Sequence, residues 1–437
     1  MKKTLALTAF FFSLFSVHAL ELTDIQSSLA DIFSNSIDDN EGLTSFRSLN
    51  IPSGGRTEAL GTAFTGLSDD ITFFDYNPAG SALLEQTEIA VFHNAWISDS
   101  AVETLSASQR SGNLGYGFQL KCFYVPFTEY NLYGERVAGN YYSETSATFN
   151  IAYHFLAGYT FKGFSLGANA RASWRSIPDY TDNQTDAVIA RSGLAQSALG
   201  LMADAGFLMQ FNALKFYSAK KANMSIGLSC NNFGVALTGF GEHIQTDDPL
   251  PSRISAGIAY RPFERIVLSG EVRKPINLSD PSASDAISFG TGIEALITKF
   301  FAFECGFLLQ GANPRISMGS EFELKSVKFD VSYTFDLTSS ANPVNHISLS
   351  AKMTLGDRGR LASLKKVDQY YLEGLKLYAE GYYDAAILKW NEAIKIAGSS
   401  PLNMRFEPAE LAKQAAINFN RNKVDLESMY SVSVDDE

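Results

Sequence analysis

From Thr87 to about Leu355 the apolar positions of the chain recur at every second residue. Val327, Phe329, Val331, Tyr333, Phe335 and Leu337 share one face, while Lys328, Asp330, Ser332, Thr334 and Asp336 share the other. Ile347, Leu349, Ala351 and Met353 alternate with His346, Ser348, Ser350 and Lys352, and Leu166, Ala168, Ala170 and Ala172 oppose Ser165, Asn169, Arg171 and Ser173. Successive side chains of a strand point to opposite sides, so each segment predicts a strand with one apolar and one polar face. The pattern predicts strands over 87–97, 101–110, 113–125, 146–161, 164–177, 200–211, 222–234, 252–263, 266–277, 286–297, 301–311, 315–324, 327–337 and 346–355. That is about fourteen strands of about ten residues, the length a tilted strand needs to cross the hydrocarbon layer.

Alternation of this kind also suits a soluble all-β sandwich, which stays open as the alternative. The connections favour a membrane barrel. Short ones fall at Ser111–Asn113, Lys162–Gly163, near Glu264, at Thr298–Phe300 and at Lys325–Ser326. Longer ones, Pro126–Glu144, Pro178–Leu199, Val235–Pro251 and Leu278–Asp285, occupy the other end of the hairpins. Bacterial barrels have short periplasmic turns and long outer loops, and an even strand count returns both termini to the periplasm. The short Ser98–Ser100 and the longer Asn212–Ala222 depart from this rule. The expectation is therefore an all-β transmembrane barrel of about 14 antiparallel strands in a bacterial outer membrane, over residues 87–356, with outer-membrane lipid as its surroundings.

Past Leu355 the period lengthens. Asp368–Ile396, "DQYYLEGLKLYAEGYYDAAILKWNEAIKI", has apolar and aromatic residues at helical spacing, with Gly381 as a break between two helices. It resembles a single tetratricopeptide repeat, with Gly374, Tyr378, Gly381, Tyr383, Ala386, Trp390 and Ala393 at the small or aromatic packing positions. Glu373 stands where Leu is usual and Gly398 where Pro is usual. A further amphipathic segment, Pro408 to about Met429, predicts a capping helix. One repeat alone buries its face poorly. The 361–430 segment is thus expected either to dock a periplasmic protein through Tyr370, Tyr378, Tyr383 and Trp390, or to pack on the barrel mouth or a second copy.

The chain begins MKKTLALTAFFFSLFSVHAL, where two lysines precede an apolar run and a small-residue cleavage site, so residues 1–19 are expected to be a secretory signal peptide. The net charge is −12 without basic clusters, which argues against a nucleic-acid partner. Thirty-three Phe and 19 Tyr favour strands and membrane interfaces. Cys122, Cys230 and Cys305 are isolated and odd in number, which speaks against a disulfide framework. His93, His154, His243 and His346 lack metal-ligand spacing, so no metal site or cofactor is expected. Gly163–Gly167 matches G-x-S-x-G, but inside an alternating strand rather than a strand-to-helix turn; Gly290–Ala295 mimics a dinucleotide fingerprint with no helix after it. No enzyme is expected.

One segment stands apart from both patterns. "GGRTEALGTAFTGLSDDITFFDYNPAGSALL", Gly54–Leu84, is rich in small residues, carries Arg56 and the adjacent Asp69 and Asp70, and closes on Asn77, Pro78, Ala79 and Gly80. Asn77, preceding a proline, is restricted to extended geometry. The stretch resembles the N-terminal region of the long-chain fatty acid transporter (FadL) family and its PorV-like relatives, and looks most like the branch in spirochaete and Bacteroidetes outer membranes, the uncharacterised treponemal FadL-like proteins in particular. That resemblance implies a 14-stranded barrel holding residues 20–86 as a hatch in its lumen. Asn77, Pro78 and Ala79 match the hatch motif, and Gly54, Gly55, Arg56, Asp69, Asp70 and Gly80 accompany it. The implied activity is outer-membrane transport of long-chain fatty acids or other hydrophobic small molecules. Tyr130, Tyr133, Tyr141, Tyr142 and Phe240 of the outer loops offer a low-affinity entry patch for such a molecule, with interface anchoring or loop packing the favoured role for most of them. The alternative, suggested by the PorV-like relatives, is a non-transporting barrel that anchors or shuttles periplasmic or secreted proteins.

Overall fold

The computed structural model describes residues 43–397 and 412–421, apart from 97–98, 157–161, 183–184, 186, 219–220, 241–243, 247, 312, 338–344, 358–359 and 420. The expected signal peptide, residues 1–19, and residues 20–42 of the expected hatch span lie outside the described residues. Fourteen strands follow in order: β1 (Glu88–Ala95), β2 (Ala101–Ser111), β3 (Leu114–Tyr130), β4 (Arg136–Phe155), β5 (Phe164–Ser176), β6 (Ala198–Phe211), β7 (Met224–Thr238), β8 (Ser252–Phe263), β9 (Ile266–Ile276), β10 (Ser288–Thr298), β11 (Phe301–Gln310), β12 (Asn313–Leu324), β13 (Val327–Asp336) and β14 (His346–Thr354). Each pairs antiparallel with its sequence neighbours, and β1 pairs with β14 from Glu88↔Thr354 to Ala95↔Ile347, which closes the barrel. Closure leaves no unpaired sheet edge.

The faces of these strands are inverted relative to a soluble protein. Along β13, Phe329, Val331 and Tyr333 are exposed, while Asp330, Ser332, Thr334 and Asp336 are buried. On β14, Ile347, Leu349 and Met353 point outward, and His346, Ser348, Ser350 and Lys352 point inward. A sandwich would bury the apolar face. An exposed apolar belt around a polar interior is stable only where lipid replaces water outside, which excludes the soluble alternative.

Turn chemistry separates the two ends. Gly112 (φ 61°) closes β2 to β3, and Lys325 (φ 58°) closes β12 to β13. The opposite end carries longer connections, among them 177–197 with a short helix over Ser192–Gln196, 239–251 and 277–287. Two details differ from the sequence expectation at that end. The connection from β11 to β12 is also tight, with Gly311 at φ 57°. The expected loop Pro126–Glu144 is instead mostly strand, because β3 and β4 stay paired through Glu129↔Ala138. Pro126 misdirects the reading: β2 pairs with β3 no further than Tyr124, so Pro126 lies on a ribbon edge, where a missing N–H is tolerated. Strand β4 ends at Phe155 rather than at 161, and 157–161 lie outside the described residues.

Beyond the barrel, two helices span Arg360–Ala379 and Tyr383–Ala397, separated by Gly381 at φ 85°. Residues 412–419 are also helical, within the expected capping segment; its stretches 408–411 and 422–429 lie outside the described residues. Ala416 joins Ala386 and Trp390 in a buried cluster that Tyr371, Leu377 and Tyr378 pack against. The third helix thus covers part of the face that two helices alone would leave open.

Candidate functional site

Residues 43–86 run inside the barrel, and from Ile51 to Leu84 nearly every residue is buried. The segment is built from one-turn pieces rather than long helices: α1 (Gly55–Ala59) and 3-10 turns over Arg47–Asn50, Ile71–Asp75 and Pro78–Ala82. It adds apolar side chains to a mainly polar lumen. Leu60, Phe64, Leu67 and Tyr76 cluster with Ala259 and Val267 of the wall, and Ile71, Phe73, Phe74 and Leu84 with Ala90 and Phe92.

Wall side chains satisfy the hatch backbone, whose irregular turns leave donors and acceptors over. Glu271 accepts from the N–H groups of Phe64 (2.9 Å) and Thr65 (2.8 Å). Asn150 donates to the carbonyl of Pro78 (3.0 Å), Asn169 to that of Phe74 (3.2 Å) and Ser225 to that of Gly66 (2.6 Å). Asn77 is fully buried in an extended conformation, as its place before Pro78 requires. Its Oδ1 accepts from Ala79 N (3.1 Å), capping the turn that Pro78 opens, while its Nδ2 donates to Thr65 O (3.0 Å) and to Phe207 O of β6 (2.9 Å).

The charged residues of the segment meet although thirteen or more positions apart. Arg56 donates from Nη1 to Asp69 (2.7 Å) and Asp70 (3.0 Å), and from Nε to Glu294 of β10 (2.7 Å). Asp69 also receives Arg261 of β8 at 2.7 Å, and Asp70 receives Lys352 of β14 at 3.0 Å. Asp70 further caps the Ile71–Asp75 turn by accepting from Thr72 N (2.9 Å). Burial disfavours the charged form of Asp70, but Lys352 and Arg56 outweigh it and hold its carboxyl far below the usual range. Asp69 shifts the same way: burial opposes, and the Arg56 and Arg261 charges prevail.

Glycines complete the fit. A Cβ at Gly66 would lie 2.6 Å from the carbonyl carbon of Gly257, and one at Gly257 would lie 2.6 Å from Gly66 N. Gly206 faces the Asn77 side chain in the same way, and Gly167 faces the Pro78 backbone at 2.4 Å. Gly290 and Gly292, the false dinucleotide fingerprint, lie against the carbonyls of Gly61 (2.4 Å) and Leu60 (2.6 Å). Gly54 at φ 138° opens α1, Gly55 abuts Asp330, and Gly80 abuts the carbonyl of Ser68. The wall glycines were absent from the expected site. Their signal lay in plain view, as small residues at inward strand positions. Ser165 of the G-x-S-x-G match is the second residue of β5, bonded to His154 Nδ1 at 2.8 Å, and the chain continues from it as strand rather than turning into a helix.

Above the hatch, at the long-loop end, a cavity of about 410 Å³ is lined by Trp96, Phe123, Tyr142, Arg273, Arg315 and hatch residues such as Ile51 and Pro52. A second, of about 370 Å³, lies between the β3–β4 ribbon and the 177–197 connection, against Phe127, Tyr130 and Tyr180. Of the expected entry patch, Tyr142 lines the first cavity and Tyr130 the second; Tyr133 and Tyr141 are exposed, and the Phe240 ring packs at a tilt against Trp174, with centroids 5.3 Å apart. In the helical module Trp390 is fully buried, Tyr378 packs between Tyr383 (5.3 Å) and Trp390 (5.9 Å), and Tyr370 lies under Lys389.

Residues 23–358 match the model of UPF0164, an uncharacterised protein family. Two UPF0164 proteins of Treponema pallidum (strain Nichols) are similar to the chain. One is 28% identical over 387 residues, covering 86% of this chain and 84% of the relative; the other is 27% identical over 397 residues, covering 88% and 78%. Among solved structures, the toluene transporter TodX of P. putida aligns with a TM-score of 0.48 at 11% identity, over 70% of this chain and 99% of that one. The toluene transporter TbuX of Ralstonia pickettii aligns with a TM-score of 0.46 at 14% identity, over 72% and 99%.

Proposed function

The chain belongs to the UPF0164 family, and on that premise we propose that it is a bacterial outer-membrane transporter of hydrophobic small molecules, with long-chain fatty acids as the class to test first. One observation carries the reading: a lipid-facing barrel whose lumen is filled by a buried hatch, with a cavity resting on that hatch at the long-loop end. A water-filled pore has no need of a packed plug. An amphipathic ligand does benefit from such a site, because Phe123 and Trp96 can take its chain while Arg273 and Arg315 face its head group. Both termini then face the periplasm, and the helical module lies on that side.

The test is uptake into vesicles containing the refolded protein. A labelled long-chain fatty acid should enter faster than into protein-free vesicles, and Arg315→Ala should slow it. Equal rates with and without protein would end the transport reading. A second reading rests on Leu372 and Leu388 of the two helices and Tyr382 of the turn between them, which are more than 60% exposed and offer apolar side chains to a periplasmic protein. Removing residues 361–437 separates the two, since uptake should persist while partner capture is lost.

A further inference from the structure

We propose that Glu304, Glu321 and Asp330 form a binding site for a calcium-like divalent cation on the inner barrel wall, against helix α1 of the hatch. These residues lie on three adjacent strands. Glu321 of β12 is paired with Asp330 of β13, and Glu304 of β11 is paired with Gly319, two positions before Glu321. The register therefore brings three carboxylates to one spot inside the lumen, with one oxygen of each lying within 4.8 Å of the others. Oxygens around a calcium ion sit 2.3–2.6 Å from it, so pairs of ligands are at most about 5 Å apart.

The independent sign of a ligand is Glu304. Its side chain is fully buried, yet among the described residues neither of its oxygens has a hydrogen-bond partner. Asp330 Oδ1 is in the same condition, although Lys352 reaches Oδ2 at 3.0 Å. Lys352 also reaches Glu321 at 3.4 Å, and Lys328 reaches it at 2.7 Å. The guanidinium of Arg56 is directed to Asp69, Asp70 and Glu294 instead. A buried ionised carboxylate without a partner is strongly unfavourable. Its Oε2 lies 2.9 Å from where a Cβ at Gly319 would stand, so the wall holds the group in place on that side.

The spot also bears on the hatch. A Cβ at Gly55 of α1 would stand 3.2 Å from Asp330 Cβ, and Ala59 Cβ would stand 2.5 Å from a Cβ at Gly319. A cation held by the three carboxylates would fasten the wall where α1 rests, and its removal would leave like charges facing one another under the hatch.

The experiment uses the full chain refolded into detergent, stripped with EDTA and titrated with calcium chloride by calorimetry. Thermal midpoints and protease protection of the hatch are followed in parallel. Wild type should show one saturable site, a higher midpoint and slower hatch cleavage with calcium. Glu304→Gln, which keeps the shape and removes the charge, should lose calcium affinity by roughly tenfold or more. Glu323→Gln, at a half-exposed carboxylate nearby on β12, should leave it unchanged. Absence of saturable binding in wild type would overturn the proposal, as would equal binding by wild type and Glu304→Gln, which would mean that Glu304 carries a proton. If Glu304→Gln fails to refold, the wild-type titration still decides.

Discussion

At Gly257 and Gly66 a missing methyl group on each side lets two backbones touch, and this contact holds the hatch against β8. Because the atom opposite a new Cβ would be main chain, no rotamer change can relieve the overlap. Gly257→Ala should destabilise the folded protein by about 1–3 kcal/mol, the usual cost of overpacking. Gly270 on neighbouring β9 is the control: a Cβ there meets nothing closer than Ile258 Cγ2 at 3.7 Å, so Gly270→Ala should change stability by no more than about 0.5 kcal/mol. Urea or thermal unfolding of the two variants in micelles measures the difference. Asn77 was legible because an Asn-Pro pair has strong local consequences, an extended residue followed by a capped turn. Gly290 and Gly292 were not legible in the same way. Their role depends on which backbone lies opposite, and Leu60 is some 230 positions away in sequence.

Among the elements, the strands were readable because a period of two leaves little freedom: slipping by one residue would turn Asp330 and Lys352 out toward lipid. The β3–β4 ribbon was misread at Pro126, a local signal overridden by the ribbon's free edge. The carboxylates Glu304, Glu321 and Asp330 formed no motif, since each lies on a separate strand and only pairing joins them. The helical module shows the reverse case, in which the aromatic spacing predicted the packing. Trp390 fills the space above Gly374, where a Cβ would lie 2.3 Å from its Nε1, and donates to Tyr371 O at 3.2 Å. Trp390→Ala should therefore cost this module about 3–5 kcal/mol, enough to unfold a small helical unit. Limited proteolysis should show rapid loss of residues 360–421, while the barrel stays protected. If Trp390 instead served chiefly to contact a partner, the module would stay resistant and only partner capture would fall.

For the whole molecule the question is what keeps a closed barrel closed. Apolar packing fastens the hatch at every pH, whereas the links of Asp69 and Asp70 to Arg56, Arg261 and Lys352 depend on ionised carboxylates. Both carboxyls have folded values below the usual one of about 3.9, so their contribution is fully present above that pH and disappears as pH falls through the lower folded values. The hatch should thus stay shut from about pH 8 to pH 4 and loosen only in stronger acid. Planar-bilayer conductance across that range tests the point: wild type should remain silent to about pH 4, with openings appearing below. Asp70→Asn removes the charge shared by Arg56 and Lys352 and should produce openings already at neutral pH, because two buried cations then lose a partner. A silent Asp70→Asn barrel at neutral pH would assign closure to the packing of Phe64, Phe73 and Phe74 alone, and the ion pairs would then serve only to fix the hatch in register.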